Sequence, residues 1–311
     1  MKDLILSIIS AVLYFVLAPF LGALLAGIDR KITARMQGRQ GPPVLQPLYD
    51  VAKLLKKQTK IINRVQMLYL LTFLFFIIIT GLLFFAGYDI MLVLFTLTTA
   101  NIFLVIAASS GHSPYAFMGA SRELVQMLAY EPMVLIAAIG FYIVSGSFRV
   151  SAIATHDSLP AIVLLPGIFL GFVFILTIKL RKHPFDISTS HHAHQEMVKG
   201  ITTEFNGQMF AIVEVSHWYE NVFLLGLLSL FFLNSNWWSV LLAIVCIAVC
   251  YFFEILVDNT NARFKWKQML DNTWIVTAVL GALNLIVIEV LKGKGGNING
   301  RCNKITLDYA L

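Results

Sequence analysis

Apolar residues occur in this chain as eight long runs that are separated by shorter polar connections. Each run approaches or exceeds the roughly 20 residues that an α-helix needs to cross about 30 Å of hydrocarbon. The runs lack the strict alternation of a barrel strand, and lipid tolerates only helices or closed barrels. The pattern predicts an all-α polytopic membrane protein with about eight transmembrane helices, at residues 4–28, 66–88, 90–109, 124–146, 160–180, 214–234, 238–258 and 273–292.

The composition agrees with this fold class, because 58% of the 311 residues are apolar and only 13% are charged. The first run is too long for the apolar part of a cleavable signal peptide, and no small-residue cleavage site follows it. We predict a single transmembrane domain over residues 1–292 and a flexible tail, rich in glycine and asparagine, over residues 293–311. Cytoplasmic loops are predicted at residues 29–65, 110–123, 181–213 and 259–272.

The distribution of positive charge predicts the orientation in the membrane. The net charge of +6 does not indicate a nucleic-acid partner, because the Lys and Arg residues lie in loops between the apolar runs. If the N-terminus lies outside, 17 of the 23 Lys and Arg residues fall on the inner side, and nine of these lie between Arg30 and Arg64. This asymmetry predicts a multi-pass protein of the cell's inner, cytoplasmic membrane with both termini outside.

The basic loop from Asp29 to Gln58 has the sequence of a built turn rather than of a generic linker. Two prolines follow a glycine at residues 41–43, and Gln46-Pro47 opens a stretch in which Asp50 lies three residues before Lys53. This pattern is typical of a turn that leads into an amphipathic helix. We interpret the loop as a docking surface on the cytoplasmic side, after the first transmembrane helix.

One ionisable residue lies inside a predicted span. Glu131 occurs in the fourth run and directly precedes Pro132, which removes a backbone donor and clashes with the carbonyl of Leu128. Ionisable groups inside spans are costly and are therefore functional candidates. The pattern predicts a kinked fourth span in which Glu131 takes part in a proton relay. The alternative is a structural ion pair, for instance with Arg122.

The third predicted loop concentrates carboxylates and imidazoles. It contains four acidic residues and four histidines, namely Asp186, Glu196, Glu204, Glu214, His183, His191, His192 and His194. A zinc site is disfavoured, because the His-His-Ala-His run lacks a helical i, i+4 pair and no cysteine lies nearby. A line of such groups suits proton transfer, and a plain solvated loop is the alternative. Glu254, Asp258 and Arg263, at the inner end of the seventh run, are candidates to continue this line.

The three cysteines, Cys246, Cys250 and Cys302, are too few for an iron–sulfur cluster, which needs about four thiolates. Phosphate-binding loops, Ser-His-Asp arrangements and dinucleotide fingerprints are also missing from the sequence. We therefore predict no cofactor and no metal in this chain.

Three motifs follow one another along the polar loops. They comprise Arg30-Lys31, Ala34-Arg35, Gln37, Gly41-Pro42, Gln46-Pro47, Asp50 and Lys53-Leu54 in the first loop; Gly119, Arg122, Gln126 and Tyr130-Glu131 before and in the fourth span; and Pro184-Phe185-Asp186, Gln195-Glu196, Gly200, Thr203-Glu204-Phe205 and Gly207 in the third loop. On these motifs, and over nearly all of its length, the chain resembles the complex I subunit that anchors the peripheral arm to the membrane. Its relatives in membrane-bound NiFe hydrogenases and formate hydrogenlyase share the resemblance.

Two departures favour the hydrogenase branch of this family. Quinone-reducing members typically carry a Glu-Ala-Glu run after the Phe-Asp element, whereas this chain has His192-Ala193-His194 followed by Gln195 and Glu196. The Glu-Tyr pair of the family is His217-Trp218 here. The His217-Trp218 pair does not match the quinone headgroup site of the family, and it removes one acidic position. Glu214 and Glu220 are the candidates to replace the lost carboxylate.

The resemblance implies a membrane-anchor and coupling subunit. Such a protein docks a soluble, ferredoxin-oxidising hydrogenase-like module and links its redox step to the translocation of H⁺ or Na⁺. The NiFe centre and the iron–sulfur clusters are then expected in partner subunits. The implied partners are hydrogenase-like large and small subunits, iron–sulfur subunits, antiporter-like membrane subunits and the lipid bilayer. The equivalent component of a sulfur-reducing or quinone-reducing complex is the alternative.

Residue roles follow as hypotheses from the resemblance. The expected docking residues are Arg30, Arg35, Arg39, Gln46, Asp50 and Lys53. The expected relay and coupling residues are Glu131, Asp186, Glu196, Glu204, Glu214, His192 and His194. Two other classes remain open. A stand-alone secondary transporter predicts repeated halves with paired broken spans, and this sequence has one broken span. A pure scaffold would carry the same carboxylates as inert groups.

Overall fold

The computed structural model describes residues 2–58, 63–156, 159–185, 187–189 and 197–294. Within these ranges the chain is helical and forms no strand. A 3₁₀ turn occurs at Gly200–Thr202 and a π-helical turn at Thr277–Ala282. The α-helices are α1 (Lys2–Met36), α2 (Gln46–Lys56), α3 (Arg64–Phe85), α4 (Ile90–Ser109), α5 (Pro114–Ser145), α6 (Val150–Ala154), α7 (Ala161–Leu164), α8 (Pro166–Lys179), α9 (Gly207–Ser229), α10 (Trp237–Thr260), α11 (Trp266–Val276) and α12 (Leu283–Lys294).

The predicted fold class, an all-α polytopic membrane protein, is confirmed. Among the described residues, six segments are long and apolar enough to cross a bilayer: α1, α3, α4, α5, α10 and the continuous segment Trp266–Val290. The predicted count of eight is not confirmed. The run at 160–180 folds as α7 and α8, and α8 has only 14 residues. The run at 214–234 overlaps α9, whose ionisable residues Glu214, His217 and Glu220 interrupt its apolar character.

The helix ends follow from local capping. The Asn63 and Asp89 side chains accept hydrogen bonds from the backbone N–H of Val65 (3.0 Å) and Met91 (2.8 Å), and thereby start α3 and α4. Gly146 ends α5 with φ of 75°, which is a left-handed conformation that glycine adopts without steric cost.

Two helices continue beyond the apolar runs that predicted them. Helix α1 extends to Met36 although the predicted span ends at residue 28, and α5 begins at Pro114 although the predicted span begins at residue 124. Hydropathy locates the part of a helix that lies in lipid, whereas polar residues with good helix propensity extend the same helix into water. Helix α5 passes through Pro132 without interruption, and the kink stays a prediction.

The interior of the bundle is formed mainly by α3, α4, α5, α8 and α9. In α4 and α5, half of the residues in the most apolar 18-residue stretch are buried, compared with 22% in α1 and α10. Helix α1 approaches α9 closely because Gly22 lies against the backbone of Trp218, where a Cβ atom would clash. The outward faces of α1 and α10 are apolar and exposed, as expected for surfaces that contact lipid or neighbouring membrane subunits.

The polar connections gather at the two ends of the bundle. The loop end carries α2 and, among the described residues, 110–113, 180–185, 187–189 and 197–206. Asn63 donates across it to the carbonyl of Ser110 at 3.2 Å. The turn end carries residues 86–89, 146–149 and 230–236, where Ile90 N–H donates to the carbonyl of Phe148 at 2.9 Å. All the candidate site residues that the structure describes, except Glu131, lie near the loop end.

Candidate functional site

The predicted docking residues lie where α1 ends and α2 begins. The Arg30 guanidinium donates to Asp50 Oδ2 at 2.9 Å, and the Gln46 amide donates to Asp50 Oδ1 at 3.1 Å. Gln46 and Asp50 are one turn apart on α2, so both reach the same carboxylate. Helix α2 buries Val51 against Trp218 of α9, which fixes the helix on the bundle. The remaining predicted docking residues, Arg35, Arg39 and Lys53, are exposed.

A buried ion cluster lies beneath this surface. It consists of Glu123 on α5, Lys179 at the end of α8, Arg181, and His217 and Glu220 on α9. Arg181 Nη2 donates to Glu123 Oε1 at 3.0 Å, and Lys179 Nζ lies 3.6 Å from Glu220 Oε1. The side chains of Glu123, Lys179 and Glu220 are 4 to 6% exposed. Two acids and two bases are therefore paired in a low-dielectric interior, where an unpaired charge costs several kcal/mol.

Arg181 holds an unusual backbone position. It follows the end of α8 with φ of 52°, a conformation that glycine or asparagine usually provides after a helix. For another residue it costs roughly 1–2 kcal/mol. The guanidinium contacts both Glu123 and His217 from this position. Burial opposes its charge, but the carboxylates of Glu123 and Glu220 outweigh that effect and raise the pKa of Arg181 above its ordinary value.

The contact with Arg181 defines the protonation state of His217. The guanidinium of arginine has donors only, so His217 Nε2 must accept the hydrogen bond. The imidazole is therefore neutral, with its proton on Nδ1. Because the ring is neutral, the buried ion cluster contains two negative and two positive charges.

Tyr130 joins the buried ion cluster to the middle of α5. Lys179 Nζ lies 4.1 Å from the centre of the Tyr130 ring, within the range of a cation–π contact. The phenol oxygen accepts a hydrogen bond from Asn101 of α4 at 3.3 Å. Glu131, the next residue, is half-buried. It makes no ion pair within the part of the chain that the structure describes, and Arg122 lies about 13.5 Å away along the helix.

The third loop is tied to α5 by residues of the second motif. Gln126 donates to the carbonyl of Phe185 at 2.8 Å, and the Ser188 hydroxyl donates to Glu123. The backbone at Gly200 lies so close to Gly119 that a Cβ atom there would clash. The described parts of the third loop at Phe185, Ser188 and Gly200 are therefore held against α5, and Ser188 contacts the buried ion cluster directly.

A cavity of about 250 Å³ opens between α1, α9 and the end of α8. Ionisable side chains of α1, of the end of α8 and the residues that follow it, and of α9 line it, namely Asp29, Arg30, Lys179, Arg181, Glu214, His217 and Glu220. This volume is large enough for several water molecules. A polar cavity of this size suits the passage of protons more than the binding of a large apolar ligand.

The predicted relay residues are distributed unevenly. Glu214 lines the cavity, whereas Glu204 accepts a hydrogen bond from the backbone N–H of Ser113 at 2.6 Å and so holds the start of α5. Four of the predicted residues lie outside the described residues: Asp186, His192, His194 and Glu196. Within the described ranges, no group of three or more His, Cys, Asp or Glu side chains is arranged to hold a metal ion.

Sequence reasoning missed three members of the buried ion cluster. Glu123 lies one residue before the predicted fourth span, and Lys179 and Arg181 were counted only as inner positive charges. The spacing of Glu123, Gln126 and Tyr130 places them on one face of a helix. That face continues the buried apolar face of α5, and this continuity is the signal that identifies Glu123 as buried.

Comparison with known proteins supports the resemblance found in the motifs. A profile of the NADH dehydrogenase family matches residues 9–289. The H subunit of the NADH-quinone oxidoreductase of Syntrophotalea carbinolica is 29% identical over 302 residues, which cover 86% of this chain and 90% of that protein. Hydrogenase-4 component C of Escherichia coli is 25% identical over 297 residues, with 87% and 91% covered.

The fold is also found in a solved structure. A chain of the membrane-bound sulfane sulfur reductase, an archaeal respiratory membrane complex, superposes with a TM-score of 0.79. The two chains are 24% identical, and the match covers 91% of this chain and 99% of the other. This likeness shows a shared fold.

Proposed function

Because this chain belongs to the NADH dehydrogenase family and is an H-subunit-like membrane protein of a complex I-like respiratory complex, we propose that it anchors a soluble redox module and couples that module to ion translocation. The module is a ferredoxin-oxidising, hydrogenase-like assembly with its NiFe centre and iron–sulfur clusters in partner subunits. Similarity to hydrogenase-4 component C and the His192-Ala193-His194 run support this branch.

One observation carries the proposal: the cavity joins the docking surface to the buried ion cluster. Asp29 and Arg30 are neighbours in the chain, and both line the cavity, while Arg30 also pairs with Asp50 on the surface. Two unit charges 10 Å apart at an effective dielectric constant of about 20 interact by about 1.7 kcal/mol. A change of charge in a docked module is therefore strong enough to shift proton positions in the cluster.

The individual roles follow from this arrangement. The exposed cations Arg35, Arg39 and Lys53, with the Arg30, Gln46 and Asp50 group, bind the soluble subunits. Glu214 exchanges protons with the cavity, and Glu131 carries the relay towards the antiporter-like subunits. We assign the same relay to the remaining third-loop residues, Asp186, His192, His194, Glu196 and Glu204. The loop end faces the cytoplasm in this proposal, with both termini outside the inner membrane.

A second candidate is the equivalent component of a quinone-reducing complex, which the similarity to the H subunit of NADH-quinone oxidoreductase favours. A mild-detergent pull-down with this chain as bait, followed by mass spectrometry and metal analysis, separates the two. A nickel-containing large subunit together with iron–sulfur and antiporter-like proteins is the expected result. Iron–sulfur partners without nickel support a quinone-reducing or sulfur-reducing complex. Recovery of the chain alone, under conditions that preserve membrane complexes, contradicts the proposal.

The coupling role is tested separately with Glu131→Gln, which keeps the shape of the side chain but can no longer bind and release a proton. We expect fewer ions translocated per electron pair in a fully assembled complex, because the relay is interrupted. Glu289→Gln, an exposed carboxylate of α12, is the matched control and keeps the wild-type ratio. An unchanged ratio in Glu131→Gln shows that the carboxylate is a structural group.

A further inference from the structure

A second buried polar site lies at the loop end of α10. Glu254 is 0% exposed, and neither of its carboxylate oxygens has a hydrogen-bond donor in the part of the chain that the structure describes. A buried, unpaired carboxylate costs several kcal/mol in its charged form. Such a group either meets a cation directly or carries a proton, and no cationic nitrogen lies within 4.0 Å of Glu254 among the described residues.

Each element that packs around Glu254 contributes an ionisable side chain. Tyr251 and Asp258 lie about one turn away in either direction on the same face of α10, with Cys250 beside them. Lys182, in the loop after α8, places its ammonium 5.0 Å from the centre of the Tyr251 ring. The adjacent backbone N–H of His183 donates to Asp258 Oδ1 at 2.8 Å, which fixes this loop against α10.

Lys182 connects this site to the cavity. Its Nζ lies 3.1 Å from Asp29 Oδ2, and Asp29 lines the cavity. The other Asp29 oxygen is buried and also lacks a hydrogen-bond partner among the described residues. The Tyr251 hydroxyl donates to the carbonyl of Leu25 on α1 at 3.3 Å, so α1 and α10 are held together around the Lys182 side chain. The order of groups from the cavity is Asp29, then Lys182, then Glu254.

The charge balance differs from that of the buried ion cluster. The cluster has two acids and two bases, whereas among the described residues Asp29, Glu254 and Asp258 lie around Lys182, and Arg30 is the next residue after Asp29. Arg263 Nε donates to Nδ1 of the His183 ring at 2.9 Å. Negative charge is therefore in excess at this site, and a proton on Glu254 reduces the excess without a further ligand.

We propose that Glu254 is a proton-binding side site of this protein, which is loaded from the cavity through Asp29 and Lys182. In the loading step, the Lys182 side chain swings from Asp29 to hydrogen-bond distance of Glu254, and one ammonium N–H bond breaks as Glu254 forms an O–H bond. The resulting amine then takes a proton from the carboxyl of Asp29, which is protonated from the cavity. No electrons move, and the inference rests on the proposed coupling function only for its use in ion translocation.

The proton on Glu254 is tested by difference infrared spectroscopy of the purified complex. We expect the carbonyl band of a buried carboxylic acid to disappear in Glu254→Gln and to persist in the control Glu289→Gln. An unchanged band in Glu254→Gln overturns the proposal. If Glu254→Gln fails to assemble, Glu254→Asp decides: a shifted band supports the assignment, and an unshifted band contradicts it.

The route is tested with Lys182→Arg, because arginine keeps the cation but does not release its proton in proteins. We expect exchange of the Glu254 band in D₂O to slow roughly 10²-fold, the lower range for loss of a positioned proton-transfer group. Wild-type exchange in Lys182→Arg rules out this route. Both readouts are independent of ion pumping. A wild-type complex that turns over without translocating ions therefore contradicts the proposed function and leaves the site to be judged by the infrared data.

Discussion

Two arginine–carboxylate pairs in this protein have almost the same length and opposite surroundings. Arg30 and Asp50 are 2.9 Å apart, and their side chains are 47% and 43% exposed. Arg181 and Glu123 are 3.0 Å apart, and their side chains are 14% and 6% exposed. Exposed pairs contribute about 0–1 kcal/mol, whereas removing one partner of a buried pair costs about 3–5 kcal/mol. Burial, rather than distance, therefore determines how much each pair contributes to the stability of the fold.

The largest expected effect is that of Arg181→Met. The substitution leaves Glu123 buried without its cation, so we expect a loss of about 3–5 kcal/mol in stability and poor assembly of the complex. Methionine replaces the aliphatic part of the arginine side chain and has the same β-carbon constraint at this left-handed position, so the loss of the guanidinium is the main change. The measurement is the thermal unfolding midpoint of the purified complex.

The double variant Arg181→Met with Glu123→Gln is the control for this prediction. Replacing both charged partners of a buried pair is often nearly neutral, so we expect most of the lost stability to return. If the double variant is as unstable as Arg181→Met alone, the pair is not the source of the destabilisation.

An intermediate effect is expected for Glu204→Gln, because Glu204 is half-buried and accepts from the Ser113 backbone. A hydrogen bond to a charged group contributes about 1.5–3 kcal/mol, and the neutral amide retains part of it. We therefore expect about 1 kcal/mol of local destabilisation, measured as faster hydrogen exchange at residues 111–117. A lower number of ions per electron pair without faster exchange assigns Glu204 to the relay alone.

The smallest effect on stability is expected for Asp50→Asn, which breaks the exposed pair with Arg30. We expect less than about 1 kcal/mol of destabilisation but weaker binding of the soluble module. Because surface charges are screened by salt, the difference from the wild type should diminish as ionic strength rises. Co-purification of the soluble subunits at two salt concentrations measures this. Equal binding at low salt removes Asp50 from the docking surface.

The fold class and the loop end were predictable because the apolar runs and the basic loops each extend over many consecutive residues. The buried ion cluster was not, because its members sit at the margins of those runs. Glu123 precedes the predicted fourth span by one residue, and Lys179 is followed by other cations that look like solvent-exposed inner charges. Hydropathy is averaged over the residues at the ends of a run. It therefore does not show that Arg181 and Lys179 pair with carboxylates on α5 and α9. His217 was recognised as a departure from the family pattern, but only the fold places it against Arg181.

The short α8 has a consequence for how the chain is made. Fourteen residues extend over about 21 Å, less than the roughly 30 Å of a hydrocarbon core. The segment ends in Lys179, whose carboxylate partner Glu220 lies some forty residues later in the chain. In a nascent chain that has emerged only as far as the third loop, this segment is therefore too short to span the core and lacks its ion-pair partner Glu220. Insertion of α8 should be completed only after α9 has left the ribosome, so its final position is a product of assembly rather than of its own sequence.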